Sequence, residues 1–169
     1  QVPDLVEQFL QKPIDVDPIV DWIKDCRSVL FLGRGLSEAV AAEGALKLME
    51  LAYVPCLAYP SGEMKHGPIA LLEEGSPVIV IAPEDEVRDK TLSNLQECRA
   101  RGARVALIHT EGDPIASEAD ISIPIPRTSR WFTPFLSVLP LQILAYRTAL
   151  AMDRDIDRPR NLAKSVTVE

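Results

Sequence analysis

The sequence lacks a basic cluster, a paired set of cysteines and any long apolar run. No run of Lys and Arg exceeds two residues, and 25 acidic side chains outnumber 18 basic ones, for a formal net charge of −7. A surface of that kind is poorly suited to nucleic acid, so we expect no nucleic-acid partner. The three cysteines, Cys26, Cys56 and Cys98, stand singly in apolar segments. They are typical of buried thiols in a reducing compartment, and we expect a cytoplasmic protein without a metal ion or other cofactor.

The longest uncharged stretch, residues 131–146, is shorter than the roughly 20 residues of a membrane span, and it contains Pro134 and Pro140. It predicts a buried helix and no membrane association. The chain begins at Gln1 without a leader of basic and apolar residues. We therefore expect either a processed chain or a piece of a longer protein.

Short apolar segments alternate with helical ones along the 169 residues, 47% of which are hydrophobic. This length and composition predict one globular domain. The predicted strands are residues 28–32, 55–59, 77–82, 104–109 and 120–124, and the predicted helices are residues 3–11, 18–25, 36–53, 86–101 and 131–152. Strands that are apolar on both faces and separated by helices predict a five-stranded parallel sheet in a three-layer α/β/α sandwich.

Turn and capping residues suggest where these elements begin and end. Asp17 is predicted to cap the second helix, and Gly102 is predicted to end the fourth. Residues 1–152 then form the domain, which opens with the helices of residues 1–27. The polar residues 153–169 are expected to form an extended C-terminal tail.

Three charged side chains, Glu43, Lys47 and Glu50, share one face of the helix predicted over residues 36–53, because they are spaced by four and three positions. Most other positions on this helix are apolar. Such a helix is predicted to be buried almost all round, with its charged stripe in a polar interface or a cleft. The alternative is a solvated ion pair between Glu43 and Lys47, which would contribute about 0.3–0.5 kcal/mol.

Residues 61–68, Ser-Gly-Glu-Met-Lys-His-Gly-Pro, follow a predicted strand, where open parallel sheets place their ligand-binding loops. An imidazole can give or take a proton near neutral pH, so His66 is a candidate acid–base residue. The alternative is that His66 only hydrogen-bonds within its own loop. His109 lies at a strand end without acidic or cysteine companions, and we interpret it as structural.

Glu50 and His66 are predicted to lie far apart in one chain. The helix descends from the carboxyl end of its strand, so Glu50 lies about 21 Å lower, whereas His66 follows the next strand back up. Another domain or subunit should therefore complete the site. The loop after the third strand carries Glu84 and Asp85 and no Ser or Thr, so it would repel a phosphate rather than bind one.

Three segments together resemble one enzyme family. They are residues 43–50 (Glu-Gly-Ala-Leu-Lys-Leu-Met-Glu), residues 61–68, and residues 159–169 (Pro-Arg-Asn-Leu-Ala-Lys-Ser-Val-Thr-Val-Glu). Over essentially its whole length the chain resembles glutamine–fructose-6-phosphate aminotransferase (isomerizing), also called glucosamine-6-phosphate synthase. The match is to the second of that family's two sugar-isomerase (SIS) domains, which have a Rossmann-like fold.

The resemblance implies an activity and a set of partners. Fructose 6-phosphate and glutamine-derived ammonia would become glucosamine 6-phosphate and glutamate, in a homodimeric enzyme of amino sugar biosynthesis. A first SIS domain, which holds most phosphate contacts in the family, and an N-terminal glutaminase domain would lie outside this chain. The chain by itself should then be nearly inactive.

The resemblance also implies roles for single residues. Glu50 matches the base that moves a proton between C1 and C2 of the sugar, with Lys47 as its neighbour. His66 matches the histidine that assists ring opening, which the neighbouring subunit supplies. Lys164 matches the tail lysine that forms a Schiff base with the ketose carbonyl. The positions assigned to substrate binding are Glu43, which would orient Lys47, and Ala163.

Two other interpretations share the fold. A regulatory SIS module that only senses sugar phosphates would need a basic helix-turn-helix segment, which this acidic chain lacks. A related SIS enzyme, such as a sugar-phosphate deaminase or deglycase, would share the helix glutamate. The tail that carries Lys164 is the feature that separates the aminotransferase from such an enzyme.

Overall fold

A computed structural model describes residues 2–162 and contains the predicted five-stranded parallel sheet. The strands are β1 (Val29–Gly33), β2 (Cys56–Pro60), β3 (Pro77–Ile81), β4 (Arg104–Thr110) and β5 (Ile121–Ile125). The helices are α1 (Val2–Leu10), α2 (Asp17–Ile23), α3 (Leu36–Ala52), α4 (Arg88–Arg99) and α5 (Thr133–Ala151). Three short 3-10 helices, which the sequence did not predict, occupy Ser61–His66, Pro68–Leu71 and Pro114–Glu118.

The sheet order is β2-β1-β3-β4-β5, and every neighbouring pair is parallel. All residues of β1 and β3 are buried, which explains their continuous apolar runs. Alternate side chains point to opposite faces of the sheet. Phe31 packs in the core that includes α3 and α5, whereas Leu30 and Leu32 pack in the core that includes α4. The three-layer α/β/α sandwich is therefore confirmed.

The central strands β1 and β3 are neighbours, and the chain leaves them in opposite directions. After β1 it crosses through α3 to β2, and after β3 it crosses through α4 to β4. Open α/β sheets bind ligands in the crevice at such a switch point. Gly33 makes the turn here possible, because a Cβ at this position would lie only 2.1 Å from the carbonyl oxygen of Ser37.

The two capping predictions have different outcomes. Gly102 has a φ of 81°, and its N–H donates to the carbonyl oxygen of Arg99 at 2.9 Å, so the prediction that it ends α4 is confirmed. The prediction that Asp17 caps α2 is wrong, because the helix begins at Asp17 itself and its N-cap residue is Val16. The Asp17 carboxylate instead accepts hydrogen bonds from Arg147 of α5 at 3.0 and 2.7 Å.

Helix α5 is longer than the uncharged stretch that predicted it. With 19 residues, α5 is long and apolar enough to cross a membrane, judged by length and composition alone. Nine of them are buried, and the helix packs closely along α3. A Cβ at Gly44 of α3 would lie 2.5 Å from Leu141 Cδ1, so glycine permits this approach. The core helix of a globular domain has the same length and composition, which makes α5 weak evidence for a membrane span.

A buried ion pair holds the loop that follows β4. The Asp113 side chain is 1% exposed and accepts hydrogen bonds from Arg88 of α4 at 2.9 and 2.8 Å and from the Ile115 N–H at 3.1 Å. Burial by itself raises the pKa of Asp113, but the hydrogen bonds from Ile115 and Arg88 outweigh burial and hold the pKa below its ordinary value. The ionised carboxylate therefore stabilises the fold above a pH of about 4, and this contribution is lost as the pH falls through the lowered pKa.

Asp113→Asn is expected to lower the free energy of unfolding by about 2 kcal/mol at neutral pH, because Arg88 loses its counter-charge. The difference from wild type should shrink in acid, as Asp113 becomes protonated in both the folded and the unfolded states. Chemical denaturation at neutral and acidic pH measures both effects. Asp89→Asn removes an exposed partner of the same Arg88 and should change stability by less than about 0.5 kcal/mol. A difference that does not depend on pH would contradict an ionic contribution from Asp113.

Candidate active site

The charged stripe of α3 forms a compact cluster. Lys47 Nζ lies 2.7 Å from Glu50 Oε2 and 3.6 Å from Glu43 Oε1. The hydrogen bond to Glu50 and the charges of both carboxylates raise the pKa of Lys47, although burial opposes them. The amine is therefore protonated at neutral pH and is not a nucleophile. It can instead hold the Glu50 side chain in place through their hydrogen bond.

The prediction that α3 is buried almost all round is wrong. Its buried residues form a single face, which consists of Ser37, Val40, Ala41, Gly44, Ala45, Leu48 and Ala52. Leu46 and Met49 are 42% and 38% exposed next to the charged stripe. A helix that lies on a sheet buries only the side that faces the sheet and its neighbouring helix. The prediction therefore counted Leu46 and Met49 as buried because they are apolar, although no part of the described domain covers them.

Glu50 lines a shallow groove that the C-terminal tail borders. The groove has a volume of about 460 Å³, and its lining residues are Leu46, Met49, Glu50, Tyr53, Val54, Pro55, Arg160, Asn161 and Leu162. Residues 153–162 contain no helix or strand, in keeping with an extended tail. They bend back to the end of α3, where the Arg160 N–H donates to Tyr53 Oη at 2.8 Å. The tail thus reaches the same groove as Glu50.

Two predicted site residues in the tail, Ala163 and Lys164, lie outside the described residues. Leu162, immediately before them, is the last described residue, and it lines the groove together with Glu50. The structure therefore brings Glu43, Lys47, Glu50 and the start of the tail motif to one region.

His66 ends the 3-10 helix Ser61–His66, beyond the carboxyl end of β2. Its side chain is 75% exposed, and its ring Nε2 lies 3.8 Å from Glu63 Oε2 of the same turn. That separation is too long for a hydrogen bond. The imidazole is therefore not locked into its own loop and can meet a group from outside.

The 3-10 helix that carries His66 is fastened to α4. Lys65 Nζ lies 2.7 Å from Glu97 Oε1. The Asn94 amide, oriented so that its nitrogen meets acceptors, donates to Ser61 Oγ at 3.1 Å. These contacts hold the backbone on both sides of the turn while leaving the His66 ring exposed.

Glu50 and His66 lie on opposite faces of the sheet. Helix α3 packs with α5 on one face, whereas the 3-10 helix packs against α4 on the other. The two residues also lie toward opposite ends of β2, because α3 ends just before this strand and His66 comes just after it. The five residues of β2 span roughly 16 Å. These placements keep the two side chains apart within one chain, as their spacing predicted.

The switch-point crevice is acidic on its β3 side. Glu84 and Glu86, in the loop after β3, form ion pairs with Arg127 and Arg130 of the loop after β5. Both arginines are thus paired with carboxylates of this chain. The expectation that this loop repels a phosphate stays a prediction. Among residues 2–162, no cluster of three or more His, Cys, Asp or Glu side chains could hold a metal ion.

A family model described as the SIS domain matches residues 22–152, which include the whole sheet, α3 and the turn that carries His66. The chain belongs to the SIS domain family. Two of its relatives are named glutamine–fructose-6-phosphate aminotransferase (isomerizing). The relative from Thermus thermophilus is 50% identical over 170 residues, and one from Rhizobium meliloti is 53% identical over 172 residues. The chain is matched over 100% of its length but spans only 28% of the length of each relative.

A solved structure is similar to this SIS domain in both fold and sequence. The C-terminal domain of glucosamine-fructose-6-phosphate aminotransferase from Francisella tularensis is 38% identical to it, with a TM-score of 0.85. The match covers 93% of this chain and 44% of the solved chain. The sheet and the helices around it therefore match less than half of that solved chain.

The sequence did not point to the residues that bring the tail of the SIS domain to Glu50. Tyr53 has a φ of 61° at the end of α3, a conformation that glycine or asparagine usually adopts, so no pattern signals it. Arg160 belonged to the tail motif but had no assigned role. Its contact with Tyr53 joins residues 107 positions apart, which sequence spacing cannot reveal.

Proposed function

We propose that this SIS domain is the second half of the isomerase region of a glutamine–fructose-6-phosphate aminotransferase. Such an enzyme combines fructose 6-phosphate with glutamine-derived ammonia to give glucosamine 6-phosphate and glutamate. The observation that carries the proposal is the groove that Glu50 and Leu162 both line. Lys164 follows Leu162 by two residues, a reach of about 7 Å along the chain. A carboxylate from α3 and an amine from the tail can therefore act on one small substrate.

The roles follow from the charges around the groove. Glu50 acts as the base that moves a proton between C1 and C2 of the open-chain sugar. Lys47, protonated and 2.7 Å away, keeps the Glu50 carboxylate oriented, and Glu43 holds Lys47 from its other side. Lys47 is protonated and is not a nucleophile. The resemblance of the tail to the family's tail motif assigns the attack on the ketose carbonyl to Lys164. Ala163, its neighbour in the tail, contributes to sugar binding.

Features of the surface support partners outside this chain. A first SIS domain would cover the exposed apolar residues beside Glu50, Leu46 and Met49, and would supply the phosphate contacts that the acidic crevice does not offer. A glutaminase domain of the same protein would supply ammonia. A homodimer would bring His66 of one subunit to Glu50 of the other, since one chain keeps them apart. The chain by itself is then nearly inactive.

The boundaries and the compartment belong to the same proposal. Residues 1–152 form the domain proper, and residues 153–169 form a tail that contributes to the active site. The three cysteines are free thiols, which suits an enzyme of the cytoplasm, where disulfides rarely persist.

Reductive trapping of the tail lysine tests the proposed chemistry. In the full-length protein, Lys164 Nζ should attack C2 of fructose 6-phosphate, water should leave, and borohydride should reduce the imine to a stable secondary amine. Mass spectrometry of the tail peptide is expected to show this adduct on most subunits of the wild type. Lys164→Arg keeps the positive charge but should give no adduct, while glutamine hydrolysis persists. An adduct on another lysine, or none in an active wild type, would overturn the assignment.

A further inference from the structure

Tyr53 occupies an unusual place at the end of α3. Its φ of 61° lies in the left-handed region, which few residues other than glycine and asparagine adopt. Its N–H donates to the carbonyl oxygen of Met49 at 3.1 Å, which closes the last turn of the helix. The backbone at this position would suit glycine better, so the side chain is the feature that needs a reason.

The ring of Tyr53 is the point at which the tail touches α3. The Arg160 guanidinium lies 4.2 Å from the centre of the ring, and the Arg154 guanidinium lies 5.4 Å from it. Both distances are within the range of cation–π attraction. The phenol oxygen also accepts the hydrogen bond from the Arg160 N–H at 2.8 Å. One side chain therefore gathers both ends of the segment that runs from residue 154 to residue 160.

The segment between residues 154 and 160 contains a turn that brings the chain back to Tyr53. Asp155 Oδ1 accepts hydrogen bonds from the Asp157 and Arg158 N–H groups at 3.1 and 3.0 Å, which turns the chain. The Leu162 N–H then donates to the carbonyl oxygen of Pro159 at 3.4 Å. The tail consequently enters the groove of Glu50 at the position of Tyr53, one helical turn beyond Glu50.

We propose that Tyr53 is a positioning residue, which docks the tail segment of residues 154–162 on the end of α3 and so holds Leu162 in the groove of Glu50. This inference rests on the proposed function, because it takes the groove of Glu50 as the sugar site. If the tail is docked before the sugar binds, a larger fraction of molecules has the tail in place. Less conformational entropy is then lost when the sugar binds.

Hydrogen exchange in the substrate-free, full-length protein tests the docking directly. Tyr53→Gly removes the ring but keeps a residue that favours the left-handed conformation, so α3 should stay intact. The Leu162 amide is expected to exchange at least about tenfold faster in this variant, because two cation–π contacts and one hydrogen bond are lost. Arg160→Ala, which leaves the backbone of Tyr53 untouched, should change exchange in the same direction. Arg158→Ala is the matched control and should leave Leu162 exchange unchanged.

Kinetics separate positioning from mere stability. Tyr53→Gly is expected to lower kcat/KM for glucosamine 6-phosphate formation about tenfold and to leave glutamine hydrolysis as in the wild type. Tyr53→Phe keeps the ring and both cation–π contacts, so it should restore activity to within about threefold of wild type. Unchanged Leu162 exchange in Tyr53→Gly and Arg160→Ala, or faster exchange with unchanged kcat/KM, would overturn this inference. A wild type that forms no glucosamine 6-phosphate would overturn the proposed function instead, whatever the exchange shows.

Discussion

Glu50→Gln in the full-length protein is expected to lower the rate of glucosamine 6-phosphate formation by about 10²–10⁴-fold, the usual contribution of a general base. Glutamine has nearly the same shape as glutamate but cannot accept the proton that, in the proposed mechanism, moves between C1 and C2. The substituted side chain can still accept a hydrogen bond from Lys47, which lies 2.7 Å from the carboxylate. The groove should therefore keep its shape while losing its base.

Measurements on single steps make this prediction specific. In the proposed mechanism, imine formation at Lys164 precedes the proton transfer. Borohydride trapping should therefore still succeed in Glu50→Gln, and glutamine hydrolysis should be unaffected. Release of the C1 or C2 hydrogen of the sugar to solvent should stop. Glu38→Gln, a charge loss on an exposed position of the same helix, is the control and should retain wild-type activity. If Glu50→Gln forms product at the normal rate, Glu50 is not the base.

The sheet was predictable because its central strands are buried on both faces. The runs that became β1 and β3 are apolar at every position, and burial on both sides requires that composition. Gly33 and Gly102 also marked turns that depend on the absence of a side chain or on a positive φ. Asp17 misled for the opposite reason, since a carboxylate suits a helix cap and an ion pair equally well, and only the packing of α5 decides between them.

The stripe of the candidate site was predictable, but its surroundings were not. Helical spacing placed Glu43, Lys47 and Glu50 together, and their distances agree with that placement. Spacing could not show that Leu46 and Met49 would stay exposed, because apolar composition is the same whether a neighbour in this chain or a separate domain covers them. The path of the tail could not be predicted either, because it depends on the unusual backbone of Tyr53 and on contacts between distant residues.

Opposite placement of Glu50 and His66 has a consequence that a mixed dimer can reveal. We expect His66→Ala alone to lower activity by about 10²-fold or more, through loss of acid–base assistance to ring opening. A dimer of one Glu50→Gln subunit and one His66→Ala subunit would contain one site with both native residues, if each site takes its histidine from the partner. Random mixing of these subunits should then restore about one quarter of wild-type activity.

A second mixture supplies the control for this complementation. Glu50 and the end of the described tail line one groove of one chain, so Glu50→Gln mixed with Lys164→Ala should leave every site without one of the two residues. That mixture is expected to stay at the level of the separate variants, although its subunits exchange in the same way. Recovery in the Glu50 and His66 mixture but not in the Glu50 and Lys164 mixture would support a site built from two chains. Equal activity in the two mixtures would contradict it, because His66 would then not act in the site of the other subunit.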